Sequence, residues 1–300
     1  MISIADIKQF FKGEILVNEP LNKHTSIKIG GPADLLLLPS DKGDAINLSV
    51  YLQQNGIDYS VIGNGSNILV SDAGIREIVI NFEQGLKQIK LVDGLVEVES
   101  GVMLARFVDF CIQNGKQGVE KLAGIPGTIG GAIVMNASAY KYEISDYIVD
   151  VEVVRNGKLI RVKKQDANFA YRTSAFLNDI IISAVFELPD GNIDEMQKTR
   201  IEYLQKRNLT QPLNYPNSGS VFKNPPGNYA AKLIEDADLK GLRIGNAQIS
   251  EKHANFIVNL GNAKAEDVLG LIQTCKEIVE QKFDVYLELE LKLLGFGKSE

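Results

Sequence analysis

The chain has 300 residues, 45% hydrophobic and 23% charged, with a formal net charge of −6. That is enough to bury a core over two or three modest domains, and an acidic balance argues against nucleic acid as a partner, which would call for a basic face. Cys111 and Cys275 lie far apart and outside any CxxC pair, and His24 and His253 are isolated, which argues against a disulfide framework, a redox dithiol and a His/Cys metal site.

The N-terminal MISIADIKQFFKGE has no basic region followed by a long apolar stretch, so no signal peptide is read there. No run of about 18 apolar residues could span a membrane. A soluble, cytoplasmic protein is expected and no metal is assigned to it, although carboxylates could still bind one.

Ser3 can cap a short helix that turns Ile4, Ile7, Phe10 and Phe11 to one face. Asp41 to Asn55 has a helical pattern stopped by Gly56. The texture then changes to strand, glycine loop and strand in YSVIGNGSNILVSD, followed by a strand in EIVINF. IKLVDGLVEVES is expected to be a hairpin turning at Asp93-Gly94, and VEVVRNGKLIRV another at Asn156-Gly157, since both pairs tolerate the positive φ of a type I′ turn. Between them Met103 to Asn114 reads as an amphipathic helix ending at Gly115, and IIISAVFEL reads as a buried strand.

After Pro189-Asp190-Gly191 the pattern predicts a charged helix over Ile193 to Asn208, a Pro-rich loop QPLNYPNSGSVFKNPPG, and helices over Tyr229 to Ala237 and Ala265 to Lys282. The last segment, VYLELELKLLG, alternates strictly and predicts a strand. Val285, Leu287, Leu289, Leu291 and Leu293 would face one way, with Glu288 and Glu290 on a polar face. Hairpins mixed with helices predict an α+β fold rather than a doubly wound parallel sheet, with a domain boundary near Asp190.

Four segments could carry chemistry. In Gly63-Asn64-Gly65-Ser66-Asn67, glycines let consecutive backbone N–H groups point into one concavity that suits a pyrophosphate; the alternative is a hairpin turn. It is not a Rossmann fingerprint, because the third glycine is missing and a strand follows. AGIPGTIGGAIVMNASAY, from Ala123 to Tyr140, concentrates Gly124, Gly127, Gly130 and Gly131 around Pro126. Such backbone can approach something flat or anionic, or be a packed turn.

Arg172 in FAYRTSAF can hold a carboxylate in a two-point fork or cap a helix end. Ser218, Ser220, Lys223 and Asn224 in NSGSVFKNP can donate a proton or hydrogen bond, or belong to a plain polar loop. Two glycine-dense loops without metal, thiol or His pair point to a bound cofactor doing the chemistry.

In this order, VIGNGSNILVSD, AGIPGTIGGAIVMNA, YRTSAF, GSVFKNP, LIEDADLKGLRIGNAQISEKHANFIVN and LELELKLLG resemble the UDP-N-acetylenolpyruvoylglucosamine reductase family over nearly the whole chain. The resemblance implies an FAD-binding core of two α+β subdomains of the vanillyl-alcohol oxidase type over 1–190, divided near 80, and a C-terminal α+β substrate domain over 191–300. It implies that Gly63 to Asn67 and the run Gly124, Ile125, Pro126, Gly127, Thr128, Gly130, Gly131 and Ala132 hold FAD, with Asn136 and Ala137 beside them.

By the same resemblance Arg172, Ser220 and Glu290 are catalytic, Tyr171, Lys223 and Asn224 contact substrate, and Arg207 binds the substrate phosphates. The implied reaction passes a hydride from NADPH through the flavin to the enolpyruvyl methylene carbon of UDP-N-acetylglucosamine enolpyruvate. Arg172 stabilises the charge that spreads into the carboxylate, Ser220 protonates the other carbon, and Glu290 is either protonated or orients another donor. A monomer is expected.

The sequence departs from the family's pattern at three places. Ser138 stands where glycine is usual, Asn246 where glycine is frequent, and Leu289 where proline is usual between the glutamates. The short span from Arg172 to Ser220 resembles a subclass lacking an extra tyrosine-bearing loop. The competing readings are an FAD enzyme of the same fold with another substrate, and a non-catalytic nucleotide-binding protein.

Overall fold

The computed structural model describes residues 4–297; the expected capping residue Ser3 lies outside them. Packing divides the chain into two units, each assembled from separated stretches. The first takes the described part of 1–17 with 35–64 and 77–205; the second takes 18–34, 65–76 and the described part of 206–300. This division by packing is drawn differently from the expected division by role at 190, because 18–34 and 65–76 pack with the C-terminal residues.

Up to residue 99 the elements are α1 (Ile4–Ile7), β1 (Glu14–Pro20), β2 (Pro32–Leu38), α2 (Lys42–Gln54), β3 (Tyr59–Ile62), β4 (Ile68–Val70), β5 (Ile75–Asn81), β6 (Ile89–Val92) and β7 (Leu95–Glu99). There follow α3 (Leu104–Gln113), α4 (Ile129–Val134), β8 (Ser138–Ala139), β9 (Tyr142–Glu143), β10 (Ile148–Arg155), β11 (Lys158–Lys163), β12 (Ile180–Phe186) and α5 (Ile193–Thr210). The remainder comprises β13 (Asn217–Ser220), α6 (Ala230–Asp236), β14 (Arg243–Ile244), β15 (Ala247–Ile249), β16 (Phe256–Asn259), α7 (Ala265–Phe283) and β17 (Lys292–Leu294).

The first unit is organised by an antiparallel five-stranded sheet, ordered β11-β10-β12-β7-β6. Its middle strand explains the unbroken apolar run Ile180-Ile181-Ile182. Successive side chains of a strand point to opposite faces. Here Ile181 enters one core with Phe107, Phe176 and Phe186, while Ile180 and Ile182 enter another with Leu48, Leu52 and Ile80. Val153 and Val154 on β10 divide between the two cores in the same way. With both faces covered, alternation disappears and a continuous apolar strand results.

Helix α2 covers the second of these cores. Asp41 accepts a hydrogen bond from the Asp44 N–H at its N-terminus (2.8 Å), and Ala45, Leu48 and Leu52 turn inward. Helix α3 covers the first with Leu104, Phe107, Val108, Cys111 and Ile112. Both expected hairpin turns form: Asp93-Gly94 has φ of 50° and 83°, and Asn156-Gly157 has φ of 50° and 69°.

The second unit contains a four-stranded sheet ordered β13-β16-β15-β14. Its core joins Leu233 and Ile234 of α6, Val268, Leu271, Ile272 and Cys275 of α7, and Ile249 and Ile257 of the sheet, with Ile27, Ile29 and Leu69 from the earlier stretches. Strand β4 pairs in parallel with β17, Leu69 opposite Leu293. Strand β3 pairs in parallel with β5 of the first unit, Tyr59 opposite Ile78. The two strands flanking the first glycine loop therefore pair with different partners, and the hairpin alternative for that loop is excluded.

The C-terminal strand is shorter than its alternation predicts. Only Lys292–Leu294 form regular strand. Leu287 and Leu291 are buried as expected, but Leu293 is 37% exposed. Residues 288–291 bond instead to the loop after β13, where the Lys223 N–H donates to Glu288 O (2.9 Å) and the Glu290 N–H to Val221 O (2.9 Å). A bent loop as partner satisfies the backbone without continuing a ladder.

Candidate active site

The first unit brings its part of the two glycine loops into contact. Gly63 follows β3, and a β-carbon there would stand 2.5 Å from Thr128 Oγ1. Only glycine lets these loops touch. Thr128 caps α4, accepting a hydrogen bond from the Gly131 N–H at 3.4 Å. The N–H groups of Ile129 and Gly130 donate to Val102 O and Ser100 O, each at 2.8 Å.

The donors of that helix turn are therefore engaged within the protein, and what the loop offers a ligand is bare backbone. A β-carbon at Gly131 would meet nothing closer than Thr128 Oγ1 at 3.6 Å, so one side of the turn has room. Ser100, whose carbonyl accepts from the Gly130 N–H, and Asn136, which follows α4, each carry a buried polar atom, Oγ and Oδ1, without a hydrogen-bond partner among the described residues. Such atoms cost free energy unless something pairs with them. Open glycine backbone at Gly131, with unsatisfied buried polar atoms on Ser100 and Asn136, fits a large polar cofactor such as FAD.

Asn136 connects this region to the arginine. It is fully buried with φ of 43°, in the left-handed region that asparagine tolerates better than most residues. Its Nδ2 donates to Glu143 Oε2 (2.7 Å) and to Ala170 O (3.2 Å), so both acceptors fix the amide orientation. Ala170 and Thr173 exchange backbone hydrogen bonds of 3.1 and 3.2 Å, closing a turn with Tyr171 and Arg172 at its tip.

Arg172 has φ of 58°. A side chain with a β-carbon is strained in that conformation, and such strain is concentrated at functional sites. Its Nη1 donates to Ser138 Oγ at 2.8 Å, its guanidinium carbon lies 5.4 Å from the Tyr171 ring centre, and the Tyr171 side chain is half exposed. The helix-capping alternative for Arg172 is therefore not what the structure shows.

The second unit brings together the rest of the first loop, Ser220 and Glu290. Gly65 has φ of 61°, and a β-carbon there would lie 2.1 Å from His24 O. The Ser26 N–H donates to Gly65 O at 3.0 Å. Asn67 holds the last segment at two points: its Nδ2 donates to Glu290 O (3.2 Å), and its carbonyl accepts from the Lys292 N–H (3.1 Å).

Val221 O, next to Ser220, accepts from the N–H groups of both Glu290 and Leu291. Ser220 and Glu290 are thus neighbours through the backbone, although 70 positions separate them in the sequence. Lys223 Nζ pairs with Glu288 Oε1 at 2.5 Å, and Asn224 Oδ1 accepts from the N–H of Ala230, the first residue of α6 (3.1 Å). Arg207, on α5, donates from Nε to Gln211 Oε1 at 2.7 Å.

One residue of this frame escaped the sequence reading. Asn255 is buried and clamps Phe222 on both backbone groups, accepting from its N–H (2.9 Å) and donating to its carbonyl (2.8 Å). An asparagine beside the apolar run FIV was the available signal. Among the described residues no group of three or more His, Cys, Asp or Glu side chains could hold a metal ion.

Comparison with known proteins places this arrangement. Residues 33–163 match a family described as an FAD binding domain, and residues 211–294 match the C-terminal domain of UDP-N-acetylenolpyruvoylglucosamine reductase. The chain is 44% identical, over 99% of its length and 98% of the relative's, to the UDP-N-acetylenolpyruvoylglucosamine reductase of Chloroherpeton thalassium. It is 43% identical to the protein of that name from Caldanaerobacter subterraneus subsp. tengcongensis, covering 98% of each chain. The crystal structure of the Thermus caldophilus UDP-N-acetylenolpyruvylglucosamine reductase (MurB) superposes with a TM-score of 0.82 at 34% identity, over 95% of this chain and all of that one. This chain belongs to the UDP-N-acetylenolpyruvoylglucosamine reductase family.

Proposed function

We infer that this protein reduces the enolpyruvyl double bond of UDP-N-acetylglucosamine enolpyruvate to give UDP-N-acetylmuramate, a precursor of peptidoglycan, with NADPH as reductant and FAD as cofactor. Bound FAD supplies the capacity to accept a hydride from NADPH and to pass it on. Gly63, Asn64, Gly65, Ser66 and Asn67, with Gly124, Ile125, Pro126, Gly127, Thr128, Gly130, Gly131 and Ala132, hold the cofactor, and Asn136 and Ala137 lie beside them in the sequence. The domain roles expected for 1–190 and 191–300 belong to this proposal.

The observation that carries the site assignment is the conformation of Arg172. The turn at 170–173 needs a positive φ at its second central residue, for which glycine or asparagine is the low-cost choice. An arginine there makes sense through its side chain. A planar guanidinium can meet both oxygens of the enolpyruvyl carboxylate and stabilise the charge that develops there. Ser220 gives a proton to the carbon bearing the carboxylate; its hydroxyl is a weak acid, but that carbon is strongly basic once charge has built up.

Glu290, held by Asn67 and Val221, orients the proton-donating side of the site. Tyr171, Lys223 and Asn224 contact the sugar, and Arg207 meets the diphosphate. Substrate and reductant are both phosphorylated nucleotides, which do not cross membranes unaided, and this supports a cytoplasmic location. No helix among the described residues is long and apolar enough to span a membrane. A monomer without a nucleic-acid or membrane partner completes the proposal.

Incubation of the FAD-loaded protein with NADPH and UDP-N-acetylglucosamine enolpyruvate tests it. Substrate-dependent NADPH consumption, with a product two mass units heavier than the enolpyruvyl sugar, is expected. NADPH consumption that does not depend on this substrate would reject the reading.

A further inference from the structure

We propose that Ser138 is a positioning residue, whose hydroxyl aims the Arg172 guanidinium before substrate arrives. The proposal rests on the reading of Arg172 as the group that meets the substrate carboxylate. Three side-chain hydrogen bonds tie the segment leaving α4 to the arginine turn. Ser174 Oγ donates to Val134 O (2.9 Å), Asn136 Nδ2 donates to Ala170 O (3.2 Å), and Arg172 Nη1 donates to Ser138 Oγ (2.8 Å).

The first two bonds fix the backbone at either end of the turn. The third acts on the tip of the arginine alone. It therefore adds little to holding the turn and much to limiting where the guanidinium can go. Arginine has many rotamers, and their restriction costs conformational entropy. A contact that restricts them in the free enzyme removes that cost from the reaction.

Ser138 can serve as a fixed point because its own backbone is held. It lies in β8, paired with Glu143 of β9. The N–H of neighbouring Ala137 donates to Ala132 O (2.8 Å), and the Ile144 N–H donates to Ala137 O (2.9 Å). Ser138 does not adopt a positive φ, so nothing in its backbone demands glycine. The Ser138 carbonyl also lies 3.4 Å from Nη1, and this longer contact remains when the hydroxyl is removed.

The test compares Ser138→Ala, Ser138→Thr, Arg172→Lys and the double variant Ser138→Ala/Arg172→Lys as holoenzymes. We expect Ser138→Ala to lower kcat by roughly 10-fold, within the range for a misplaced catalytic group. It should change KM less than kcat, leave flavin bleaching by NADPH at the parent rate and keep the thermal midpoint. Ser138→Thr, which keeps the hydroxyl, should restore most of kcat. In the Arg172→Lys background Ser138→Ala should cost nothing further, because residues acting as one unit are non-additive.

Equal loss from Ser138→Ala in both backgrounds, or a threonine variant as impaired as the alanine one, would overturn the proposal. A Ser138→Ala variant at the parent kcat beside a crippled Arg172→Lys would overturn it while leaving the role of Arg172 intact. An active Arg172→Lys enzyme would instead remove the reading beneath it.

Discussion

Arg172 combines an unfavourable backbone conformation with a chemically demanding side chain, and the two can be separated by substitution. Replacement by glycine should relieve the strain at φ 58° and raise stability by up to about 1 kcal/mol, while turnover is lost. A glycine variant less stable than the parent in thermal unfolding would show that the contacts of the arginine side chain together outweigh the strain. Arg172→Lys keeps the charge but not the fork, and turnover should fall on the order of 10²-fold or more, as when one oxyanion donor is removed. Steady-state rates at saturating substrate check this; a lysine enzyme near the parent rate means that a point charge suffices.

Ser220 offers a second separation. Ser220→Ala should leave bleaching by NADPH unchanged and slow recovery of the oxidised spectrum by roughly 10²–10⁴-fold, the usual contribution of a positioned acid. Stopped-flow recovery at the parent rate under saturating substrate would rule out the proton-donor role. Both roles rest on resemblance to the family's motifs, and the residues alone left a helix cap and a polar loop open; the strain at Arg172 has no sequence signal, since its φ follows from the exchange of hydrogen bonds between Ala170 and Thr173. Ser138, visible in the sequence only as an unusual residue after Asn136-Ala137, gains a meaning from the arginine that it touches.

Among the elements, legibility follows the range of the interactions. Helices α2, α3, α6 and α7 and the two hairpin turns are specified by neighbours in sequence, and the structure places them within two residues of expectation. The parallel pairings of β3 with β5 and of β4 with β17 link distant segments, and no local pattern announces them. The alternation in 285–293 predicts one strand, but period two reports only which residues share a face, and Leu293 is exposed against it. Whether a ladder forms depends on the partner, here the loop around Val221.

The same dependence makes Asn255 a structural hinge-pin of the second unit. Asn255→Ala would leave the buried N–H and carbonyl of Phe222 without their side-chain partner, at a cost of roughly 1–3 kcal/mol each. Denaturant unfolding should show destabilisation of roughly 2–6 kcal/mol for the two groups together, and a change under about 0.5 kcal/mol would mean that the loop re-pairs by itself. Gly65→Ala places a β-carbon against His24 O at a positive φ, so it should destabilise through the backbone itself.

At the scale of the whole molecule, one half-buried base contributes a response to pH. Burial pushes the His253 imidazole below its ordinary range, with the ring against Phe256 at 4.7 Å and Nδ1 buried without a partner among the described residues. The folded state therefore binds this proton more weakly than the unfolded chain. The stabilising difference is present above the unfolded histidine pKa of about 6.5 and is lost as pH falls through the lower folded value. Thermal midpoints should decline from pH 7 to pH 5 more steeply in the parent than in His253→Leu; parallel declines would assign the acid sensitivity to other groups.

One chain accepts a hydride at a flavin and delivers it to an enolpyruvyl sugar. A single anaerobic spectral titration of the FAD-loaded protein addresses both halves. A yellow protein is expected, whose visible flavin absorbance is bleached by one equivalent of NADPH and restored by one equivalent of UDP-N-acetylglucosamine enolpyruvate. A protein that takes up no FAD, or a bleached flavin that the enolpyruvyl sugar does not reoxidise, would contradict it.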